Sequence, residues 1–137
     1  MILSLGFSQK NQGGVPNSLN NSLTKITPII EMPLLDIEAL LKEDESLPPG
    51  KPYRYGVRLP VDLSPHNNGV WETLSDGTRV WKLIISSQFA YAINLSFDSF
   101  YLPENSKLFI YNPDFSMIYG AYTELNNNSE EVFASLY

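Results

Sequence analysis

The chain has 137 residues, with 9 Lys plus Arg against 15 Asp plus Glu and a net charge of -6. That length suits one domain and is short for two, and with 43% hydrophobic and 18% charged residues the chain can bury a core. The acidic balance lacks the basic footprint that phosphate backbones demand, so no nucleic-acid partner is expected. The absence of cysteine excludes disulfides, thiolate nucleophiles and cysteine zinc sites, and a single histidine, His66, excludes a multi-histidine metal cluster. No motif calls for a cofactor, and none is expected.

Residues 1–9 form a short apolar run that passes abruptly into the polar Lys10-Asn11-Gln12-Gly13-Gly14. This is the pattern of a secretory signal's apolar core followed by a cleavage region, so the run is expected to be a signal-peptide remnant. No stretch approaches the roughly 20 apolar residues needed to span a bilayer, so no membrane span is expected.

Eight of the ten prolines lie at or before Pro65, whereas every aromatic residue except Phe7 lies at or after Tyr53. The chain therefore divides into an extended, proline-rich leader over residues 10–52 and an aromatic β domain over residues 53–137. The leader holds one helical signal, at about residues 33–43. Pro33 suits a first helical position, and Leu34, Ile37 and Leu41 fall on one stripe with Leu40 beside them. Asp36 and Glu38 sit near the positive end of the helix dipole. About ten residues are too few to be helical alone, so this segment needs a surface to dock on. Pro48-Pro49-Gly50-Lys51-Pro52 is expected to stop the helix and act as a hinge.

Beyond residue 53 the apolar period becomes two. The run from Phe89 to Phe97 alternates most clearly, with Phe89, Tyr91, Ile93, Leu95 and Phe97 on one face, and is expected to be a core strand. Before it, residues 69–74 and 79–85 flank Ser75-Asp76-Gly77-Thr78, a hairpin signal. A three-residue loop with Gly77 left-handed sets Leu74 opposite Thr78 and Trp71 opposite Trp81. A two-residue Asp-Gly loop would instead set Glu72 against Trp81, and the first is preferred. After an irregular corner at residues 100–106, residues 107–111 and 117–122 form a second hairpin around Asn112-Pro113-Asp114-Phe115-Ser116. Residues 126–129 read as a loop. Residues 132–137 begin another strand in mid-pattern, so the domain's last strand is expected to lie beyond it. Short strands joined by turns predict an all-β fold, an antiparallel β-sandwich or jelly roll preceded by the extended leader with its short helix.

Several groups admit a chemical and a structural reading. His66 lies in a turn-like stretch with Ser64 and Asp62 nearby, but three residues of one loop do not make a triad, and it is expected to be an exposed loop histidine. Glu72, Asp98, Glu104 and Asp114 lie beside turns or on strand faces as solubilising acids do, and no spacing resembles a calcium loop. The sequons at Asn94 and Asn127 carry no reading. The aromatics Trp71, Trp81, Tyr101, Tyr111, Tyr119 and Tyr122 are either core or a stacking platform for carbohydrate. On residues 117–122 neither face is plainly solvated, which leaves room for a tyrosine row or a covering partner at Tyr119 and Tyr122.

The run Gly69-Val70-Trp71-Glu72-Thr73-Leu74-Ser75-Asp76-Gly77-Thr78-Arg79-Val80-Trp81-Lys82-Leu83 resembles a G-x-W-x-x-L-x-N/D-G-x-R-I/V-W-R/K-L pattern. That pattern belongs to the N-terminal, non-catalytic domain of secreted trypsin-like proteases of the lysyl endopeptidase type in Gram-negative bacteria. Residues 102–112 are similar to the family's L-P-x-G-A/S-K/R-L-F/Y-I/L-Y-N segment, with Asn105 at the usual glycine, the residue type that next best tolerates a left-handed backbone. Gly120-Ala121-Tyr122-Thr123 resembles its G-A-F/Y-T strand, and Met32-Pro33-Leu34-Leu35-Asp36 with Glu43-Asp44 resembles elements preceding the domain.

The resemblance covers about residues 30–137. It implies a secreted or cell-surface precursor in which a trypsin-like protease domain follows in cis. The family's catalytic triad belongs to that domain, so no catalytic residue is assigned here and the chain is expected not to be an enzyme. The expected function is to assist folding, latency or targeting of the protease, with Leu34, Ile37, Leu40 and Leu41 docking the leader on it. A carbohydrate- or surface-binding module that uses Tyr119 and Tyr122 is the alternative, and a purely structural role for the helix is a third.

Overall fold

The computed structural model describes residues 9–20, 23–52 and 54–135. The expected signal remnant, Gln9 apart, lies outside these residues, as do residue 53 at the expected domain start and residues 136–137 of the last expected strand. In chain order the elements are α1 (Asn17–Asn20), β1 (Ile29–Glu31), α2 (Ile37–Glu45), β2 (Val70–Thr73), β3 (Arg79–Lys82), β4 (Ile84–Ser86), β5 (Ser96–Phe97), β6 (Leu108–Tyr111), β7 (Ile118–Tyr122) and β8 (Phe133–Ala134). Strands predominate over helices, as a small all-β domain requires. Among the described residues they pair in twos: β1 with β4, β2 with β3, β5 with β8 and β6 with β7.

Two compact units result, Thr24–Ala90 and Met1–Leu23 with Tyr91–Tyr137. This division differs from a boundary at residues 52/53. The leader contributes to both units, because extended segments settle wherever a strand edge offers hydrogen bonds.

In the unit Thr24–Ala90, the β2–β3 hairpin has the three-residue loop. Leu74 N donates to Thr78 O at 2.8 Å and Gly77 N donates to Leu74 O at 3.0 Å. Gly77 has φ 84, the left-handed conformation such a loop requires of its third residue. The register that follows pairs Trp71 with Trp81. Both indoles then bind the preceding turn, Trp71 Nε1 donating to Pro65 O at 2.9 Å and Trp81 Nε1 to Asn68 O at 2.8 Å. Strand β4 runs on from the hairpin and pairs parallel with β1, Ile30 opposite Ile85.

Helix α2 begins later than the Pro33 reading placed it. Asp36 is its cap, accepting from Ala39 N at 3.0 Å. A carboxylate that satisfies an otherwise orphaned N–H of the first turn sets the start more strongly than the tolerance of proline at that end. Pro33 and Leu34 therefore precede the helix. At the other end Ser46 Oγ donates to Glu43 O at 2.7 Å, and the turn at Pro48, closed by Lys51 N to Pro48 O, prevents continuation.

The other unit holds the core. Phe100, Tyr122 and Phe133 are buried together, with Phe97, Leu102, Leu108, Ile110 and Tyr119 packed around them. The Phe100 and Phe133 rings stack with centroids 4.4 Å apart, and Tyr122 meets Phe133 edge-on at 4.8 Å. The expected core strand from Phe89 to Phe97 is not formed as one element. Only Ser96 and Phe97 pair, with Ala134 and Phe133. Phe89 is left-handed at φ 64 beside a turn from Ala90 N to Ser87 O, and Phe89, Tyr91 and Ile93 are exposed while Leu95 is half-buried. Alternation marks which side chains share a face, but a ladder needs a neighbour, and among the described residues none pairs with residues 89–93.

Strands β6 and β7 form the expected second hairpin with an irregularity. Leu108 faces Tyr122 and Ile110 faces Tyr119, so β7 carries one extra residue opposite Phe109. Gly120 occupies the bulge at φ 115 against the β6 backbone. Asn105 is left-handed at φ 65, a conformation that asparagine tolerates better than most residues.

The loop at residues 126–128 carries more than its composition announces. Asn127 accepts from Leu102 N and donates to Leu102 O, both at 2.9 Å. Asn126 does the same for Lys10, at 2.7 Å and 3.0 Å, and Asn128 donates to Val132 O at 2.7 Å. A side-chain amide offers the donor and acceptor of a peptide group, so these three residues replace strand neighbours the short ladders lack.

Candidate functional site

The unit Thr24–Ala90 contains the segment with the largest unmet demand for a partner. Helix α2 has nine residues, capped at both ends, and none is buried. Leu34, Ile37 and Leu41 are 65%, 45% and 58% exposed, while Leu40 is half-buried. What holds the helix is polar: Arg54 Nη2 meets Glu43 Oε2 at 2.7 Å and its Nε meets Asp44 Oδ1 at 3.0 Å. Exposed ion pairs of this kind add little stability, so the apolar side chains remain available. Neither Arg54 nor its acidic partners were marked as functional by the sequence; Glu43-Asp44 entered only as a motif element.

The tryptophan hairpin forms a second cluster in the same unit. The Arg79 guanidinium lies over the Trp71 ring, 4.4 Å from its centroid. That contact occupies one ring face, as a cation–π pair on a diagonal of the hairpin. Trp81 is half-buried. The structure thus brings Trp71, Gly77, Arg79 and Trp81 together as a built hairpin.

Glu72 has a role that the sequence concealed. Its Oε1 accepts from Thr24 N and Thr24 Oγ1, both at 2.8 Å, and its Oε2 accepts from Lys25 N at 3.2 Å. Lys25 Nζ donates to Trp71 O at 2.5 Å. The leader at residues 24–25 is thereby stapled to β2. The Thr24 amide, with Lys25 behind it, holds the Glu72 carboxyl below its ordinary value. A lowered carboxylate stabilises the folded state above its unfolded value, and that contribution disappears as pH falls through the folded one. Glu72→Gln is therefore expected to flatten the loss of thermal stability on acidification, measured as Tm against pH. Asp76 and Asp114, lowered by the Thr78 and Ser116 amides, keep a residual slope. An unchanged slope in the variant rules the staple out.

Tyr119 and Tyr122 lie in the other unit. Tyr122 is 0% exposed, and its hydroxyl is buried with no hydrogen-bond partner among the described residues. Burial, with Tyr119 nearby, pushes its phenol up. It is therefore core and not a docking residue, and Tyr119, half-buried on the same cluster, has no exposed companion on β7 for a tyrosine row. The bulge brings Tyr119 and Tyr122 to the same cluster, since one extra residue in a strand exchanges its faces beyond that point.

His66 is exposed, and its N–H donates to the Ser64 hydroxyl at 3.2 Å within the turn. Among the described residues no group of three or more His, Asp or Glu is placed to hold a metal ion, and no helix is long and apolar enough to cross a membrane. A cleft of about 300 Å³ at the end of the β1–β4 ladder is lined by Glu31, Met32, Ser86 and Gln88. No protein-family model matches the chain, and no solved structure matches it.

Proposed function

We propose that the chain is the non-catalytic N-terminal domain of a secreted serine endopeptidase precursor of the lysyl endopeptidase type, exported by a Gram-negative bacterium. In this reading its strands close into a β-sandwich or jelly roll in the precursor. The leader helix docks on the trypsin-like catalytic domain and assists its folding or holds it latent. The motif around Trp71 and Trp81 supports the family, and the exposed apolar stripe of α2 supports the mode of action.

That stripe is the observation that carries the proposal. Nine residues are fewer than the roughly 12–15 at which an isolated helix becomes marginal. Docking would bury Ile37 and Leu41 of the helix together with Leu34 just before it, each contributing about 1.5–3 kcal/mol when fully covered. The test is the yield of active protease from a lysyl endopeptidase-type catalytic domain fused behind this chain. The triple variant Leu34→Ser, Ile37→Ser, Leu41→Ser is expected to lower the yield at least tenfold while the Tm of the chain alone stays unchanged. Equal yields remove the proposal; a lowered Tm assigns the helix to the chain's own packing instead.

A further inference from the structure

Residues 9–14 carry no apolar side chain, yet they lie along the most deeply buried backbone of their unit. Gln12 N donates to Ala121 O at 3.0 Å, and Ala121 N donates to Gly13 O at 2.9 Å. Asn126 takes both backbone groups of Lys10, Gln12 Nε2 donates to Thr123 Oγ1 at 3.1 Å, and Gln9 Nε2 donates to Ala134 O. The receiving residues Ala121, Thr123 and Asn126 are buried, whereas residues 10–15 are exposed. The segment is a strap over an edge.

The edge needs an occupant more than the strap needs its seat. Buried backbone groups without partners are costly, so the outer edge of β7 must be paired. The strap supplies hydrogen bonds and almost nothing else. Such bonds are individually modest, Gly13 and Gly14 are held at φ 68 and 102 against the large backbone entropy of glycine, and Gln9 Oε1 is buried with no partner among the described residues. Downstream the chain is anchored separately, with Pro16 buried and the Ser18 hydroxyl 2.7 Å from the Tyr111 hydroxyl. Residues 9–14 can therefore open locally about the two glycines while the core stays folded. Apart from the Gly13 N–H, which donates to Asn11 Oδ1 within the strap, their partners lie more than 100 residues away in the chain, so the same groups on another molecule can satisfy them equally well.

We propose that the β7 edge at Ala121 and Thr123, together with Asn126, is a binding surface for an extended peptide, and that its partner in trans is residues 9–14 of a second copy. This is strand addition to a sheet edge, closed symmetrically by exchange of straps. It does not depend on any attached protease. The tethered strap competes at an effective concentration on the order of millimolar, so exchange appears only as protein concentration approaches that range.

The test uses the full chain and a labelled synthetic peptide of residues 9–15. Gln12→Pro removes the N–H that pairs with Ala121 and frees the edge. That variant is expected to bind the peptide roughly tenfold or more tightly than the wild type does, and adding Asn126→Ala is expected to abolish the binding. Light scattering is expected to show a wild-type dimer at high concentration that Gln12→Pro does not form. A folded Gln12→Pro chain that ignores the peptide overturns the proposal, as does a wild type monomeric throughout or a dimer that survives the substitution. Should Gln12→Pro not fold, hydrogen exchange in the wild type decides. The Ala121 amide must exchange faster than the β6–β7 ladder amides, and equal protection overturns the proposal.

Discussion

Tyr122→Ala is expected to lose about 3–5 kcal/mol of stability, the range for deleting a buried aromatic ring, which is much of what holds a small domain together. The residue is fully enclosed and touches the Phe133 ring edge-on, so the substitution opens a cavity at the centre of the only cluster of buried aromatics among the described residues. Tyr122→Phe is expected to behave oppositely. The hydroxyl is buried without a partner among the described residues, and removing an unsatisfied polar group is neutral or stabilising, within about 1 kcal/mol. Urea titrations followed by near-ultraviolet circular dichroism separate the two. A Phe variant that loses as much as the Ala variant shows that the hydroxyl has a partner, and an Ala variant with an unchanged midpoint places the core elsewhere.

The second large effect is expected at Gly120. A Cβ there meets the Leu108 carbonyl oxygen and lies 3.2 Å from Phe109 Cα, backbone that cannot move without breaking the β6–β7 ladder. The φ of 115 adds conformational strain for any other residue. Gly120→Ala is therefore expected to cost about 2–5 kcal/mol, from strain and overlap together. Gly77→Ala is the internal comparison. Its φ of 84 is equally left-handed, but nothing lies within 4 Å of the added carbon, so about 1–2 kcal/mol of conformational cost is expected. Equal losses at both positions would remove the steric part of the argument.

The same two glycines show what can be read from residues alone. Gly77 stands in a Ser-Asp-Gly loop, and a three-residue hairpin loop demands a left-handed third residue whatever surrounds it. The pairing of Trp71 with Trp81 follows by counting. Asn105 was reached differently, through a resemblance that sets it where a glycine is usual, and asparagine is the residue type that next best tolerates a left-handed backbone. Gly120 was not, because the bulge it enables exists only where β7 lies against Phe109. The two faces of β7 are set by that bulge, which is why Tyr122 read equally well as a docking residue and as core.

Alternation from Phe89 to Phe97 was a clear signal that misled, and the asparagines at 126–128 were a weak one that mattered. A strand needs a second backbone alongside, and no periodicity in one segment states whether another segment arrives. Local chemistry determined the elements whose hydrogen bonds close within a few residues: the two hairpin turns, the presence of a short helix after Pro33, and the left-handed position at Gly77. Tertiary structure decided what rests on remote partners, from the Arg54 ion pairs at Glu43 and Asp44 to the Phe100, Tyr122 and Phe133 core and the strap on β7. Burial and pairing are properties of two segments together, and the chain alone names only one of them at a time.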